Sequence, residues 1–229
     1  MIPSPARWTT VILATTFVMA ACSGSSHGAA PVSPQPATSD RSELAAIARA
    51  RADSIRHPYT EADVHFMSHM IGHHAQAIVM SGWAPTHGAS PSVRTLAARI
   101  INAQQDEIAT MQRWLQDRRQ PVPKADTGGM NMRMSGSDHM MLMPGMLTQD
   151  QMQQLDQAKG GEFDRLFLTF MIQHHRGAVS MVQDLFGTYG AAQDETVFKF
   201  ANDVNVDQTT EIARMQTMLA ALPPTRQSP

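Results

Sequence analysis

Between its clusters of glycine and proline the chain repeats apolar residues at steps of three and four, the period of a helix with one buried face. Residues 40–57 predict a first helix, with Asp40 at the N-cap and Glu43 in capping-box spacing, ending before Pro58. Thr60 caps a second helix. Glu61 and Asp63 lie in its first turn, where negative charge suits the helix dipole, and it runs to about Trp83, stopped by "APTHG". Ser90-Pro91 opens the third in the cap and first helical positions, followed by the stripe Val93, Leu96, Ile100, Ala103, Ile108, Met111 and Leu115. After an irregular stretch from Arg119 to Leu147, Thr148 and Gln151 cap a short helix ending at Gly160-Gly161. Longer helices follow over Glu162–Phe186 and Asp194–Leu222, the last stopped by Pro223-Pro224. No stretch reads as a strand.

The long helices come in matched pairs. Residues 63–81 and 164–182, offset by 101, agree at eight of 19 positions, among them Asp63/Asp164, Met70/Met171, His73/His174, His74/His175 and Met80/Met181. "QQDEIATMQRWL" (104–115) and "QTTEIARMQTML" (208–219) share Gln104/Gln208, Glu107/Glu211, Ile108/Ile212, Met111/Met215 and Leu115/Leu219. Two duplicated helical hairpins, 60–118 and 162–222, predict an all-α four-helix bundle with the short helices as additions.

The repeat places unusual chemistry on the buried face. Positions 63, 66, 70, 73, 74, 77 and 80 form one inward stripe. His73 and His74 diverge by about 100°, so both flank the seam, and His174 and His175 repeat this on the partner helix. Met70 precedes His74 by four residues and Met171 precedes His175 by four, near enough to share a ligand. Met80 and Met181, two turns beyond His73 and His174, complete the set of candidate donors but lie too far to serve the same ion. Hydrogen bonds to Glu107, Glu211, Gln104 or Gln208 would account for a lone buried histidine. Duplicated pairs favour metal, with those four side chains orienting the ligating rings. Met111, Met215 and Met152 follow the apolar period and read as core.

The first hairpin carries more. His65, His69 and His73 are successive i, i+4 neighbours, able to hold a metal on one helix face, whereas the second hairpin has Leu166 and Phe170 opposite the first two. His57 and His87 stand at predicted helix ends, in capping or solvent positions.

The irregular stretch contains "GGMNMRMSGSDHMMLMPGM", with seven methionines. Met143 and Met146 adjoin the next helix and read as buried. Met130, Met132 and Met134 sit among glycine, asparagine and arginine, and with Met140 and His139 they suit a soft ion, Cu(I) or Ag(I).

Imidazole with thioether favours copper, and the lack of cysteine ligands weighs against structural zinc. No Glu-x-x-His step exists, so a di-iron carboxylate centre does not fit. Hydrolase, phosphate-loop and covalent-haem motifs are also missing, and the expectation is a binding protein rather than an enzyme. Two alternatives stay open: a metal-dependent oxidase using the same residues, and a structural bundle with hydrogen-bonded core histidines.

The remaining composition concerns location. Residues 1–21 hold one basic residue, Arg7, and an uncharged run from Trp8 to Ala21, which fits a signal peptide and is too short for a membrane span. Cys22, the only cysteine, closes "MAAC", which resembles a bacterial lipobox and predicts an exported, envelope-facing protein held to the membrane by a lipid anchor alone. With Met19 in place of the usual leucine, simple signal cleavage stays open and gives an exported protein too. No internal disulfide is possible. Residues 22–38 read as a disordered tether and 39–222 as one duplicated domain, including the methionine-rich loop at 119–147. Without residues 1–21 the net charge goes from −2 to −3, no footprint for nucleic acid.

"MIGHHAQAIVM", "MPGMLT" and "FDRLFLTFMIQHHRGAVSM" resemble the domain of unknown function 305 family over residues 60–221. That resemblance implies a ferritin-like four-helix bundle and kinship with exported copper-binding proteins. The expected role is copper sequestration or transfer in the cell envelope, with a copper exporter or oxidase as partner.

Overall fold

Nearly every predicted helix start is found with its cap. The computed structural model describes residues 42–49, 51, 58–125 and 142–224, and the backbone alone of 131–134 and 137–140. Its helices are α1 at 42–49, α2 Glu61–Gly82, α3 Pro91–Asp117, α4 Gln149–Gln157, α5 Gly160–Gly187 and α6 Glu195–Ala220. The predicted N-cap Asp40 and the signal, lipid-anchor and tether segments lie outside the described residues. Thr60 and Thr148 close capping boxes with Asp63 and Gln151. Ser90 caps α3 ahead of Pro91. Asp194 caps α6, and its Oδ1 also accepts from Trp114 Nε1 at 3.1 Å while Oδ2 pairs with Arg118, tying the start of α6 to the end of α3. Among α2 to α6, only α5 starts without a side-chain cap. It begins at Gly160, inside the predicted boundary, so α4 ends at Gln157.

One predicted loop is ordered differently. Asn131–Met134 (β1) and Ser137–Met140 (β2) form an antiparallel pair, with Met132 opposite His139 and Asn131 opposite Met140. The fold is all-α apart from this hairpin. No helix of the described residues is long and apolar enough to cross a membrane.

Helix α2 packs on α3, α5 on α6, and α2 on α5 at the centre. Their apolar side chains fall into two clusters. One gathers Phe66, Met70, Met111, Trp114, Met181 and Val204; the other gathers Met80, Leu96, Ile100, Phe167, Met171 and Met215. Met70 thus lies with Met181 and Met80 with Met171, as antiparallel α2 and α5 require. Between the clusters, at the level of residues 73–74 and 174–175, the core is polar.

Residues 143–147 cross this level as a strap. Met143, Met146 and Leu147 are buried, and Gln76 grips the strap with its amide. Its Nε2 donates to Leu147 O at 3.1 Å, and its Oε1 accepts from Leu147 N at 2.7 Å. At the equivalent place in the second hairpin stands Gly177, whose missing Cβ would lie 1.9 Å from Pro144 O. The duplicated positions have diverged so that one holds the strap and the other makes room for it.

The repeated aspartates explain how the hairpins join. Asp63 accepts from Thr60 N and Oγ1, and its Oδ1 accepts from Ala192 N at 2.7 Å in the α5–α6 loop. Asp164 accepts from Ser90 N at 3.1 Å in the α2–α3 loop. Each carboxylate orders the turn of the other hairpin. Ala192 sits at φ 55°, a left-handed conformation that costs a residue with a side chain about 1–2 kcal/mol, and Asp63 holds it there. Asp63→Ala is therefore expected to destabilise the fold by about 3 kcal/mol, the worth of its charge-assisted bonds. Asp164→Ala, which loses fewer contacts, should cost clearly less. Urea unfolding of the two variants measures the difference.

Candidate metal site

The polar level of the core is a row of four imidazoles. His73 and His174 stack across the α2–α5 seam with ring centroids 3.8 Å apart and planes tilted by 37°. His74 lies 6.4 Å beyond His73, and His175 lies 6.2 Å beyond His174. All four are fully buried. Burial first, and the neighbouring imidazoles second, push the pKa of His73 down to about 3 and that of His174 well below its usual value. Both are neutral at physiological pH, the form that binds metal.

Each ring faces an oxygen at Nε2. His73 donates to Pro144 O at 3.0 Å and His174 to His73 O at 2.9 Å. His175 Nε2 lies 2.6 Å from Glu211 Oε2. His74 Nε2 is 2.7 Å from Glu107 Oε2, a close polar contact that does not form a hydrogen bond. At His73 and His174 the carbonyl acceptors put the proton on Nε2 and leave a lone pair on Nδ1, and the Nδ1 atoms of all four rings are buried without a hydrogen-bond partner. Orphaned lone pairs on rings fixed from behind fit metal ligation. The rings form a row, however, and among the described residues no three His, Cys, Asp or Glu side chains close into a cage for an ion.

A second feature opens beside the row. A cavity of about 170 Å³ is lined by His65, Phe66 and His69 of α2, Met143 and Pro144 of the strap, and Met181, Asp184 and Leu185 of α5. The His65 and His69 rings stand 3.5 Å apart, centroid to centroid, as their i, i+4 spacing dictates. Burial and then the charge of His65 push His69 down to about 4, and burial lowers His65 too. Two neutral imidazoles, two thioethers and a carboxylate at the rim thus border one partly open space. Beyond the other flank of the row, between α3 and α6, Glu107, Asp203, Asp207 and Glu211 make an acidic surface. There, burial and these neighbours raise the pKa of Asp207.

The predicted donors separate accordingly. His73, His74, His174 and His175 form the row, and His65, His69 and Met181 form the cavity. Met70, Met171 and Met80 are fully buried in the apolar clusters. Glu107 and Glu211 are ring partners, whereas Gln104 Oε1 and both amide atoms of Gln208 have no hydrogen-bond partner. His87 is not in a solvent position: it is buried, stacks on Trp83, and bonds Asp156 O at 2.7 Å, which fixes the end of α4. Met130 lies outside the described residues, as do the side chains of Met132, Met134, His139 and Met140. Asp184 carries no signal for this site in the sequence, and Met143, whose place beside the next helix predicts burial, is buried and also faces the cavity.

The family model described as domain of unknown function (DUF305) matches residues 63–219. Three kinds of solved structure are similar. A DUF305 protein from Streptomyces coelicolor, described as secreted, is 29% identical with a TM-score of 0.57, over 69% of this chain and 92% of that one. A DUF305 fragment from Deinococcus radiodurans is 28% identical with a TM-score of 0.59, over 72% and 99%. CopM in its Cu(II)-bound form is 29% identical with a TM-score of 0.53, over 69% and 95%, and CopM also matches in Cu(I)-bound, silver-bound and apo forms. Comparison with curated proteins finds no match.

Proposed function

The chain belongs to the DUF305 family, and from that premise we propose that it binds copper in the cell envelope, first in the cavity bordered by His65, His69, Met143 and Met181. The observation that carries this reading is the donor set: paired neutral imidazoles beside two thioethers, a combination that suits copper in either oxidation state and matches hard cations poorly. The copper-bound and silver-bound forms of CopM, a protein of similar fold and 28–29% identity, support it. The "MAAC" stretch at Cys22 supports an exported, lipid-anchored chain. Such a protein sequesters copper or passes it to an exporter or oxidase, and the sequence offers no group dedicated to turnover.

The test is a Cu(I) titration under reductant against a competing chelator, with Cu(II) and Zn(II) titrated separately. Wild-type protein is expected to retain copper. Met143→Leu with Met181→Leu, a nearly volume-conserving pair, should weaken Cu(I) at least tenfold and Zn(II) much less. Replacing His65 and His69 by Leu and Phe, as at Leu166 and Phe170 of the second hairpin, should weaken both oxidation states. Copper binding indifferent to all four substitutions would remove the cavity from the mechanism, and no retained copper would leave the imidazole row as a structural device.

A further inference from the structure

We infer that the strap is a partition between the outer cavity and the buried imidazole row, and that Gln76 is the residue that positions it. This rests on the reading of the cavity as a copper site.

Three observations carry it. First, Pro144 belongs to both places: it lines the cavity, and its carbonyl accepts the His73 Nε2–H at 3.0 Å. Second, the histidines of α2 descend inward from that cavity one turn at a time. His65 is exposed, His69 is 9% exposed, and His73 is fully buried against His174. The second hairpin has Leu166 and Phe170 instead, so this ladder approaches the symmetric row from one side only. Third, the strap brings Met143, one of the cavity's thioethers, so an ion held there acts on the strap directly.

A cation in the cavity therefore meets Pro144 before it meets His73. Moving the strap aside removes the acceptor that fixes the His73 ring, and the ring is then free to turn its unpartnered nitrogen toward the cavity. What holds the strap in place is the two-bond clasp between Gln76 and the backbone of Leu147. Gln76 touches no cavity donor by hydrogen bond; it acts through the strap.

The experiment compares wild-type protein with Gln76→Leu and Gln76→Glu. Glutamate keeps the acceptor for Leu147 N and loses the donor to Leu147 O, so it serves if leucine prevents folding. In wild type, His73 is expected to resist diethyl pyrocarbonate, read by mass spectrometry, and the Leu147 amide to exchange slowly. In the variants His73 should become modified and Leu147 should exchange at least tenfold faster. Copper uptake should show a fast phase of unchanged amplitude and a slow phase accelerated several-fold, which a merely structural loss would not produce. Modification of His73 in wild type would overturn the partition. Unchanged protection of both His73 and Leu147 in the variants would overturn the role of Gln76. The modification and exchange readouts need no copper, so they keep this inference apart from the failure of the copper reading itself.

Discussion

Acidification from pH 7 to pH 5 is expected to remove at least about 2 kcal/mol of stability from the metal-free protein. His73 and His174 are buried and neutral in the folded state, with pKa values of about 3 and well below 6.5, while the unfolded chain protonates them near 6.5. Between these values the unfolded state binds more protons, so stability rises with pH across the window. The contribution is complete above about pH 6.5 and drains away as pH falls toward 3. Integration over pH 7 to 5 gives about 2 kcal/mol for His73, and the lowered pKa of His174 adds a loss of the same sign. Urea unfolding at the two pH values should show the drop. His73→Leu with His174→Leu should flatten it, and should leave the metal-free bundle at least as stable at pH 5 as wild type, because stacked apolar side chains need no neutral ring. Equal midpoints at pH 7 and 5 in wild type would mean that the folded row takes up protons after all.

The second large effect is at Gly177. A Cβ there would meet Pro144 O at 1.9 Å, Pro144 C at 2.4 Å and Gly145 Cα at 2.6 Å, all backbone atoms that cannot rotate away. Gly145 is equally confined: it has φ +76°, and a Cβ would come 2.6 Å from Gln173 O. Gly177→Ala is therefore expected to expel the strap rather than strain it. Expulsion exposes Met143, Met146 and Leu147, each worth about 1.5–3 kcal/mol when fully buried, against about 1 kcal/mol regained in helix propensity. The net loss should be at least 3 kcal/mol in urea unfolding. Gly161→Ala, in the same helix with nothing within 4 Å of its Cβ, is the control and should be neutral or slightly stabilising. If both variants unfold alike, the strap does not press on α5.

These positions show what the chain discloses before it folds. Caps and apolar period are local, so Thr60, Ser90, Thr148 and Asp194 mark their helices directly. The i, i+4 spacing of His65 and His69 requires their rings to meet, and the repeat requires His73 and His174 to face one seam. The acceptors behind those rings are another matter. Glu107 and Glu211 were visible as repeated side chains, but Pro144 O and His73 O are backbone carbonyls, which sequence does not distinguish from any others. Gly177 reads as a small helix penalty until the strap lies against it; its one signal was that it stands where the first repeat has Gln76. Met143 and Asp184 reach the cavity only through tertiary packing, Met143 from a loop. The β1–β2 hairpin does carry a local signal: methionines at every second position, then Ser135-Gly136, a dipeptide suited to a tight turn.

The exchange of carboxylates between hairpins also bears on how such a molecule arose. Asp63 orders the second turn and Asp164 the first, so neither half contains everything its own turn requires. A single ancestral hairpin with that aspartate would have found the missing acceptor only in another copy of itself, at a concentration set by expression. Fusion of two copies fixes the neighbour at millimolar effective concentration. It also frees the halves from being identical. Only after that release could one copy keep glutamine and the other take glycine at a shared position, or one gain histidines where the other stayed apolar. On this view the lopsided cavity, with histidines from one half only, is a product of tandem fusion, which a symmetric homodimer could not have held.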